Sequence, residues 1–259
     1  MNNVPKNFKR LDQMIKILED KGSINIPDLA KYFNVSEMTI YNDLKKLQND
    51  SRIFVVKRGA IYKDDRDLIG IDLSHYDRFN RNKEEKKIIA KKALEYINNY
   101  ESIFLDGSTT IQYLAKLLAE KSDLHLNVIT ISPIIAIELA KNKNIEILCT
   151  GGVLNKTHYV YFDNYEKLIE GVNINKAFMS CLGFSVENGF TEQINEEAEL
   201  KSKIKKYCEN IYILLDHTKF NKIGAYTFGP VSLAKKMITD GLLDKKYIEL
   251  IKKQKVDII

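Results

Sequence analysis

No apolar run in this 259-residue chain approaches the roughly 18 residues that a membrane-spanning helix needs. The opening residues, MNNVPKNFKR, lack the apolar core of a signal peptide. Both absences lead to the expectation of a cytoplasmic protein with no membrane partner. Cysteine is scarce: Cys149, Cys181 and Cys208 are widely spaced and form no Cys-x-x-Cys pair, which argues against a disulfide framework or a zinc ribbon. His75, His125, His158 and His217 show no ligand spacing, so no metal and no cofactor is expected. A large charge excess is missing too, the net charge being only +5. Its placement says more than its size. Residues 1–63 carry 12 Lys and Arg against 7 Asp and Glu, whereas the remainder carries 28 of each. Either a few charges fall there by chance, or a basic nucleic-acid-binding head is joined to a neutral body. With 44% hydrophobic residues the chain can build a real core.

The head has helical periodicity. Phe8, Leu11, Ile15 and Leu18 step by three and four, predicting a helix from Asn7 to about Lys21. Pro27 suits a first helical turn, and Leu29, Ala30 and Phe33 give the next helix an inner face. Val35–Leu47 reads as a third helix, with Ser36 as N-cap and Ile40, Leu44 and Leu47 on one face. At about 100° per residue, Met38, Asn42, Lys45 and Lys46 fall on the opposite face, flanked by Thr39 and Tyr41. Such a face suits the DNA major groove, although the pattern alone also describes an ordinary amphipathic surface helix. Arg52–Val56 and Ala60–Tyr62 form a predicted hairpin, a wing whose tip residues Lys57 and Arg58 can reach phosphates.

The stretch from Arg10 to Tyr62 resembles the winged helix-turn-helix of the DeoR family of bacterial regulators. Arg10, Gly22, Leu29-Ala30, Val35-Ser36, Thr39-Ile40, Asp43-Leu44, Leu47 and Gly59-Ala60 carry the resemblance. Tyr41 and Asn42 stand where the family has twin arginines, and Arg58 replaces the first wing glycine. Contacts made by those arginines therefore do not carry over. Asn42 can pair with adenine and Tyr41 with a phosphate.

Residues 64–82 are polar, mixed in charge and without a clear period, and are expected to be a linker. From Lys83 onward helices and strands alternate: helices at Lys83–Asn98, Ser108–Lys121, Pro133–Lys141, Asn164–Gly171 and Asn195–Cys208, strands at Ser102–Leu105, Leu126–Thr130, Ile145–Leu148, Lys176–Ser180 and Asn210–Leu215. That rhythm predicts a Rossmann-like α/β domain with a mostly parallel sheet. The expected organisation is a DNA-binding domain at 1–63, a linker at 64–82, and an α/β effector-sensing and oligomerisation domain at 83–259.

Strand ends carry the chemistry. Asp106, Gly107, Ser108, Thr109 and Thr110 lie where a strand gives way to a helix. Gly107 allows close backbone approach, the hydroxyls donate, and a helix start adds N–H groups, which together suit a phosphate or carboxylate. A plain N-cap run explains the same residues. Thr130 and Ser132, Gly151 and Gly152, and Gly183 end further strands. Asp216 and Lys219 follow another, where Lys219 can neutralise an anion or simply belong to a charged turn. In a doubly wound sheet these ends share one edge.

These stretches are also similar to the DeoR sensor domain, whose fold is related to ribose-5-phosphate isomerase. The matching residues are Asp106, Thr109 and Thr110; Thr130 and Ser132; Gly151-Gly152; Gly183 with Gly189-Phe190-Thr191; Glu197-Ala198 with Lys201; and Asp216, Thr218, Lys219 and Phe220. By this resemblance Glu197 and Lys201 join the effector site. The implied ligand is a phosphorylated sugar, the implied DNA partner a double-stranded operator, and the implied assembly a homo-oligomer. Gly107-Ser108 is reversed relative to the usual order, Ile131 replaces an Asn, and Tyr159, Tyr161 and Phe162 interrupt a small-residue stretch. Those aromatics line the pocket, or else pack as core or as an oligomer contact. The expected function is a repressor of carbohydrate genes controlled by a sugar phosphate, and not an enzyme. The alternative is an aldose–ketose isomerase using Glu197, Asp106 and Lys219, a reading in which the basic head has no role.

Overall fold

The computed structural model describes residues 6–21, 23–47, 53–56, 59–62, 75–155, 159–161, 169–208 and 210–259. The chain forms two compact units, Met1–Ile71 and Asp72–Ile259, and the division falls within the stretch expected as linker.

The first unit contains α1 (Lys6–Lys21), β1 (Ser23–Asn25), α2 (Ile26–Phe33), α3 (Glu37–Leu47), β2 (Ile53–Val56) and β3 (Gly59–Tyr62). Asn25 starts α2 by accepting the Asp28 N–H at 2.8 Å. Asn34, in the left-handed region at φ 51°, ends it. The next residue, Val35, donates its N–H to the Ala30 carbonyl at 3.0 Å, which turns the chain sharply into α3. Met14, Leu18, Leu29, Ile40 and Leu44 are buried together, so the core comes from all three helices. β3 pairs antiparallel with both β1 and β2. β1 was not expected, since three residues are too short to show a period.

The second unit opens with α4 (His75–Asn80), a helix within the expected linker, followed by α5 (Lys83–Leu94). Then come β4 (Glu101–Leu105), α6 (Thr109–Ala119), β5 (Leu126–Thr130), α7 (Pro133–Leu139), β6 (Ile145–Cys149), β7 (Leu154–Asn155), β8 (Val160–Tyr161) and β9 (Lys176–Met179). After them follow β10 (Gly183–Ser185), β11 (Gly189–Glu192), α8 (Asn195–Ile204), β12 (Ile211–Leu214), β13 (Tyr226–Gly229), β14 (Lys236–Ile238), α9 (Lys245–Lys253) and β15 (Asp257–Ile258). Most of the helix expected over 164–171 lies outside the described residues, as does Phe162.

The main sheet has seven strands in the order β15-β14-β12-β9-β4-β5-β6, and all its pairings are parallel. Side chains alternate between its faces. Ile103, Leu105, Phe178, Tyr212 and Leu214 face α5, α6 and α7 through Ile89, Ala93, Ile111, Leu114 and Leu139. Phe104, Ala177, Met179, Ile211 and Ile213 face the other core, with Phe184, Phe190, Leu200, Ile204 and Phe228. That second face carries α8, α9 and a small antiparallel sheet, β10-β11-β13, which the sequence did not announce. From β4 the chain moves outward to β5 and β6, then returns to β9 on the other side of β4. The β4/β9 boundary is therefore the topological switch point, where open parallel sheets bind ligands beyond the strand carboxyl ends.

Candidate functional site

Asp106 leaves β4 at this switch point and is fully buried. One carboxylate oxygen accepts the Ser108 N–H at 2.9 Å, and the other accepts the Ser180 N–H beyond β9 at 2.8 Å. The carboxylate thus ties together the two strand ends that the topology separates. Behind it lies Lys201 of α8, with 0% exposure. Its ammonium stands 3.1 Å from Asp106, 2.6 Å from Glu192 and 2.9 Å from Glu197, and donates to the Ser180 carbonyl at 3.0 Å. Burial alone would lower the Lys201 pKa, but the three carboxylates raise it well above its ordinary value. Burial and the neighbouring Glu197 push the Glu192 carboxyl up to about 7, with Lys201 opposing. Lys201 and Glu197, expected as effector contacts, form the charged floor of this edge.

On one side of the switch point, Ser108 caps α6 by accepting the Ile111 N–H at 3.3 Å. Thr109 donates to the Arg78 carbonyl at 3.4 Å, and Thr110 is buried. Gly107 has a steric reason: a Cβ there would come 2.0 Å from the Val160 Cγ1. Thr130 accepts the Ser132 N–H at 3.2 Å, and the Ser132 hydroxyl donates to the Tyr159 carbonyl at 3.1 Å. Thr150 follows β6 and donates its N–H to the Thr130 carbonyl at 3.0 Å, while Gly151 and Gly152 beyond it are exposed. Gly183 is held by another close approach, a Cβ there meeting the Lys222 carbonyl at 2.3 Å.

On the other side, Asp216 follows β12 and is nearly inaccessible. It accepts the Thr218 N–H at 3.0 Å, the Thr218 hydroxyl, and the Asn82 side-chain amide at 3.2 Å. Burial would raise its pKa, but Lys219 and Thr218 hold it below the ordinary value. Asn82 also donates to Thr218 Oγ1 at 3.0 Å. Lys86 donates to the carbonyls of Arg78 and Arg81. Burial, with Lys219 nearby, lowers its pKa to about 7. Thr109 and Lys86 therefore share the Arg78 carbonyl, and Lys86 joins Lys219 and Asp216 in one electrostatic neighbourhood.

Asn82 and Lys86 were missed by sequence reasoning. Asn82 looks like the last residue of a linker, and Lys86 sits in the run KEEKK, which reads as a solvated helix face. No composition signal distinguishes them; the tie of Asn82 to Asp216 spans 134 positions.

In the head, Met38, Tyr41, Asn42, Lys45 and Lys46 are exposed on α3. Ser36 caps the helix by accepting the Thr39 N–H at 3.2 Å, and the two hydroxyls pair at 2.8 Å. Opposite, the buried Asp43 pairs with Arg10 of α1 at 2.5 Å and with Lys46 at 3.3 Å, which fixes α3 on its scaffold. Lys57 and Arg58 lie outside the described residues.

A three-helix unit with a wing, displaying one polar helix face, and a parallel-sheet unit with hydroxyl-bearing strand ends together define a DNA-binding regulator with a sensor domain. The family models agree. The DeoR-like helix-turn-helix domain matches residues 10–65, and the DeoR C terminal sensor domain matches residues 81–241. The chain belongs to the DeoR family of transcriptional regulators. It is 34% identical to the HTH-type transcriptional regulator GolR of Listeria innocua, over 92% of each chain. It is 27% identical to the HTH-type transcriptional repressor GlcR of Bacillus subtilis, over 97% of this chain and 95% of that one. With the L-fucose operon activator of Haemophilus influenzae it shares 28% identity over 93% and 96%. Ribose 5-phosphate isomerase A from Neisseria gonorrhoeae superimposes with a TM-score of 0.39 at 14% identity, over 52% of each chain. The nearly full-length relatives are named regulators, so the chain is a DNA-binding transcriptional regulator and not an isomerase. No helix among the described residues is long and apolar enough to cross a membrane.

Proposed function

We propose that the protein is a cytoplasmic, homo-oligomeric repressor of carbohydrate genes, released from its operator by a phosphorylated sugar. The organisation taken with it is a DNA-binding domain at 1–63, a linker beginning at 64, and an effector-sensing and oligomerisation domain to 259. The ligand binds beyond the carboxyl ends of β4, β5 and β12. Ser108, Thr109 and the first turn of α6 take the phosphate, with Lys219 as the cation and the buried Lys86 fixing the Arg78 carbonyl beside Thr109. Thr130, Ser132, Gly151, Gly152 and Gly183 shape the sugar side. Asp106, Glu197 and Lys201 hold the floor, and Asp216 orients Lys219. The observation that carries this reading is the pairing of a hydroxyl-rich helix start with a lysine-bearing turn across one switch point.

Release requires the ligand to favour one state of the protein over the other. Asn82 supplies a route. It joins Asp216 and Thr218 to the junction of α4 and α5, the part of the sensor that follows the head in sequence. A ligand that engages Thr218 or Lys219 competes with Asn82 and frees that junction.

Thermal unfolding with pentose and hexose phosphates tests the reading, with the same sugars unphosphorylated and inorganic phosphate as controls. A ligand at 100 times its Kd adds about 2.7 kcal/mol, roughly 5–10 °C in a sensor of this size. The stabilising sugar phosphate should also lower operator affinity in a gel shift, and Lys219→Ala should weaken both responses. Equal stabilisation by unphosphorylated sugar, or an undiminished response in Lys219→Ala, would sink this assignment of the site.

A further inference from the structure

The exposed face of α3 is unusual for a DNA reader in what it offers base edges. Helix α3, EMTIYNDLKKL, has no arginine, and bidentate arginine is the commonest reader of guanine. Its two lysines already have partners within the unit: Lys46 faces Asp43 at 3.3 Å, and Lys45 lies 4.8 Å from the centre of the Tyr41 ring. Lys45 is thus drawn back over Tyr41 toward the helix surface, a posture suited to a phosphate rather than to the groove floor. Ser36 and Thr39 turn their hydroxyls on each other. What the face presents beside them is Met38 at 66% exposure, Tyr41 at 41% with Lys45 over its ring, and an exposed Asn42. An exposed methionine and tyrosine next to an amide, on a helix otherwise held by a buried ion pair, form a surface without a role in the fold.

In the major groove, only thymine presents a methyl group, and adenine alone pairs N6–H and N7 in the pattern that an Asn amide matches in two bonds. We propose that α3 reads an A·T-rich half-site, Met38 and Tyr41 packing on thymine methyl groups and Asn42 pairing with an adenine. The proposal deepens the DNA-binding reading and rests on it. Guanine is then disfavoured, because Lys45 and Lys46, the side chains that could donate to its O6 and N7, are drawn to Tyr41 and Asp43 instead.

Selection of the full-length protein on a randomised duplex, followed by replacement of each selected thymine with uracil, tests it. The expected result is a half-site centre enriched in A·T pairs, with affinity falling about three- to fourfold for each contacted methyl removed. Met38→Ala and Tyr41→Ala should each lose sensitivity to one uracil position, and Asn42→Ala should relax an adenine preference. All three positions are exposed, so the variants keep the fold, checked by unchanged melting. A half-site centred on G·C pairs, or affinity indifferent to uracil, overturns the proposal while leaving DNA binding intact. Enrichment of no duplex at all overturns the DNA-binding reading and this inference with it.

Discussion

The side-chain amide of Asn82 donates to Asp216 Oδ1 at 3.2 Å and to Thr218 Oγ1 at 3.0 Å. One residue at the start of α5 thereby holds the turn that carries Lys219. Asn82 itself adopts the left-handed conformation, φ 50°, and makes no side-chain cap for α5. Its side chain is committed to the turn rather than to its own helix.

Asn82→Ala should therefore free the Lys219 turn from the α4–α5 junction with little loss of fold. Losing both bonds costs the sensor about 1–2 kcal/mol. With the junction already free, the variant should bind the operator several-fold more weakly without ligand, and a sugar phosphate that stabilises the wild type should still raise its melting temperature while changing operator affinity little further. Wild-type operator affinity without ligand, together with full release by the sugar phosphate, would show that the signal does not pass through residue 82.

Among the described residues, Lys201 is the only ammonium paired with the three buried carboxylates Asp106, Glu192 and Glu197. Lys201→Met leaves Asp106, Glu192 and Glu197 facing one another, and breaking a buried pair costs about 3–5 kcal/mol. The sensor melting temperature should fall by roughly 10 °C. Adding Glu192→Gln should restore part of the loss, because a carboxyl that must otherwise be kept protonated beside Asp106 and Glu197 becomes a neutral amide. A single variant that melts like the wild type would mean the cluster is hydrated and weakly coupled.

The pH dependence has a defined sign. Glu192 ionises near its ordinary 4.5 when unfolded and near 7 when folded. Between those values the folded state binds more protons, so this residue's contribution falls as pH rises from about 4.5 to about 7. Urea midpoints at pH 5, 6 and 7.5 should show that slope in the wild type and a flatter one in Glu192→Gln. Parallel slopes would assign the titration elsewhere.

Arg10 reaches from α1 to the buried Asp43 on α3. Arg10→Ala leaves that carboxylate with Lys46 alone and should destabilise the head by about 2 kcal/mol. Operator binding should weaken at 37 °C more than at 15 °C, because the loss acts through folding. Equal weakening at both temperatures would point to a direct DNA contact by Arg10.

Much of the architecture was legible in the sequence, for identifiable reasons. The helices of the head and the βα alternation of the sensor show their periods because each buries one face over several turns or strand residues. The strand ends could be located because glycines and hydroxyls follow short apolar runs. The β10-β11-β13 sheet was not legible: its strands are three or four residues long, and β10 and β11 are buried on both faces, so no alternation appears. α4 was hidden by its composition, HYDRFN, which is polar enough to pass for linker. The charged floor escaped as a unit because Asp106, Glu192 and Lys201 come from three separate elements.

The strand order also sets a schedule. Ser108 and Thr109 emerge from the ribosome about a hundred residues ahead of Thr218 and Lys219, and the head precedes both. At about 5–20 residues per second, the proposed site is completed roughly 8–30 seconds after the head has been made. A newborn chain thus has a DNA-binding head before it has any means of hearing the metabolite. Control arrives only when β12 docks beside β9 and brings its lysine turn to the waiting half.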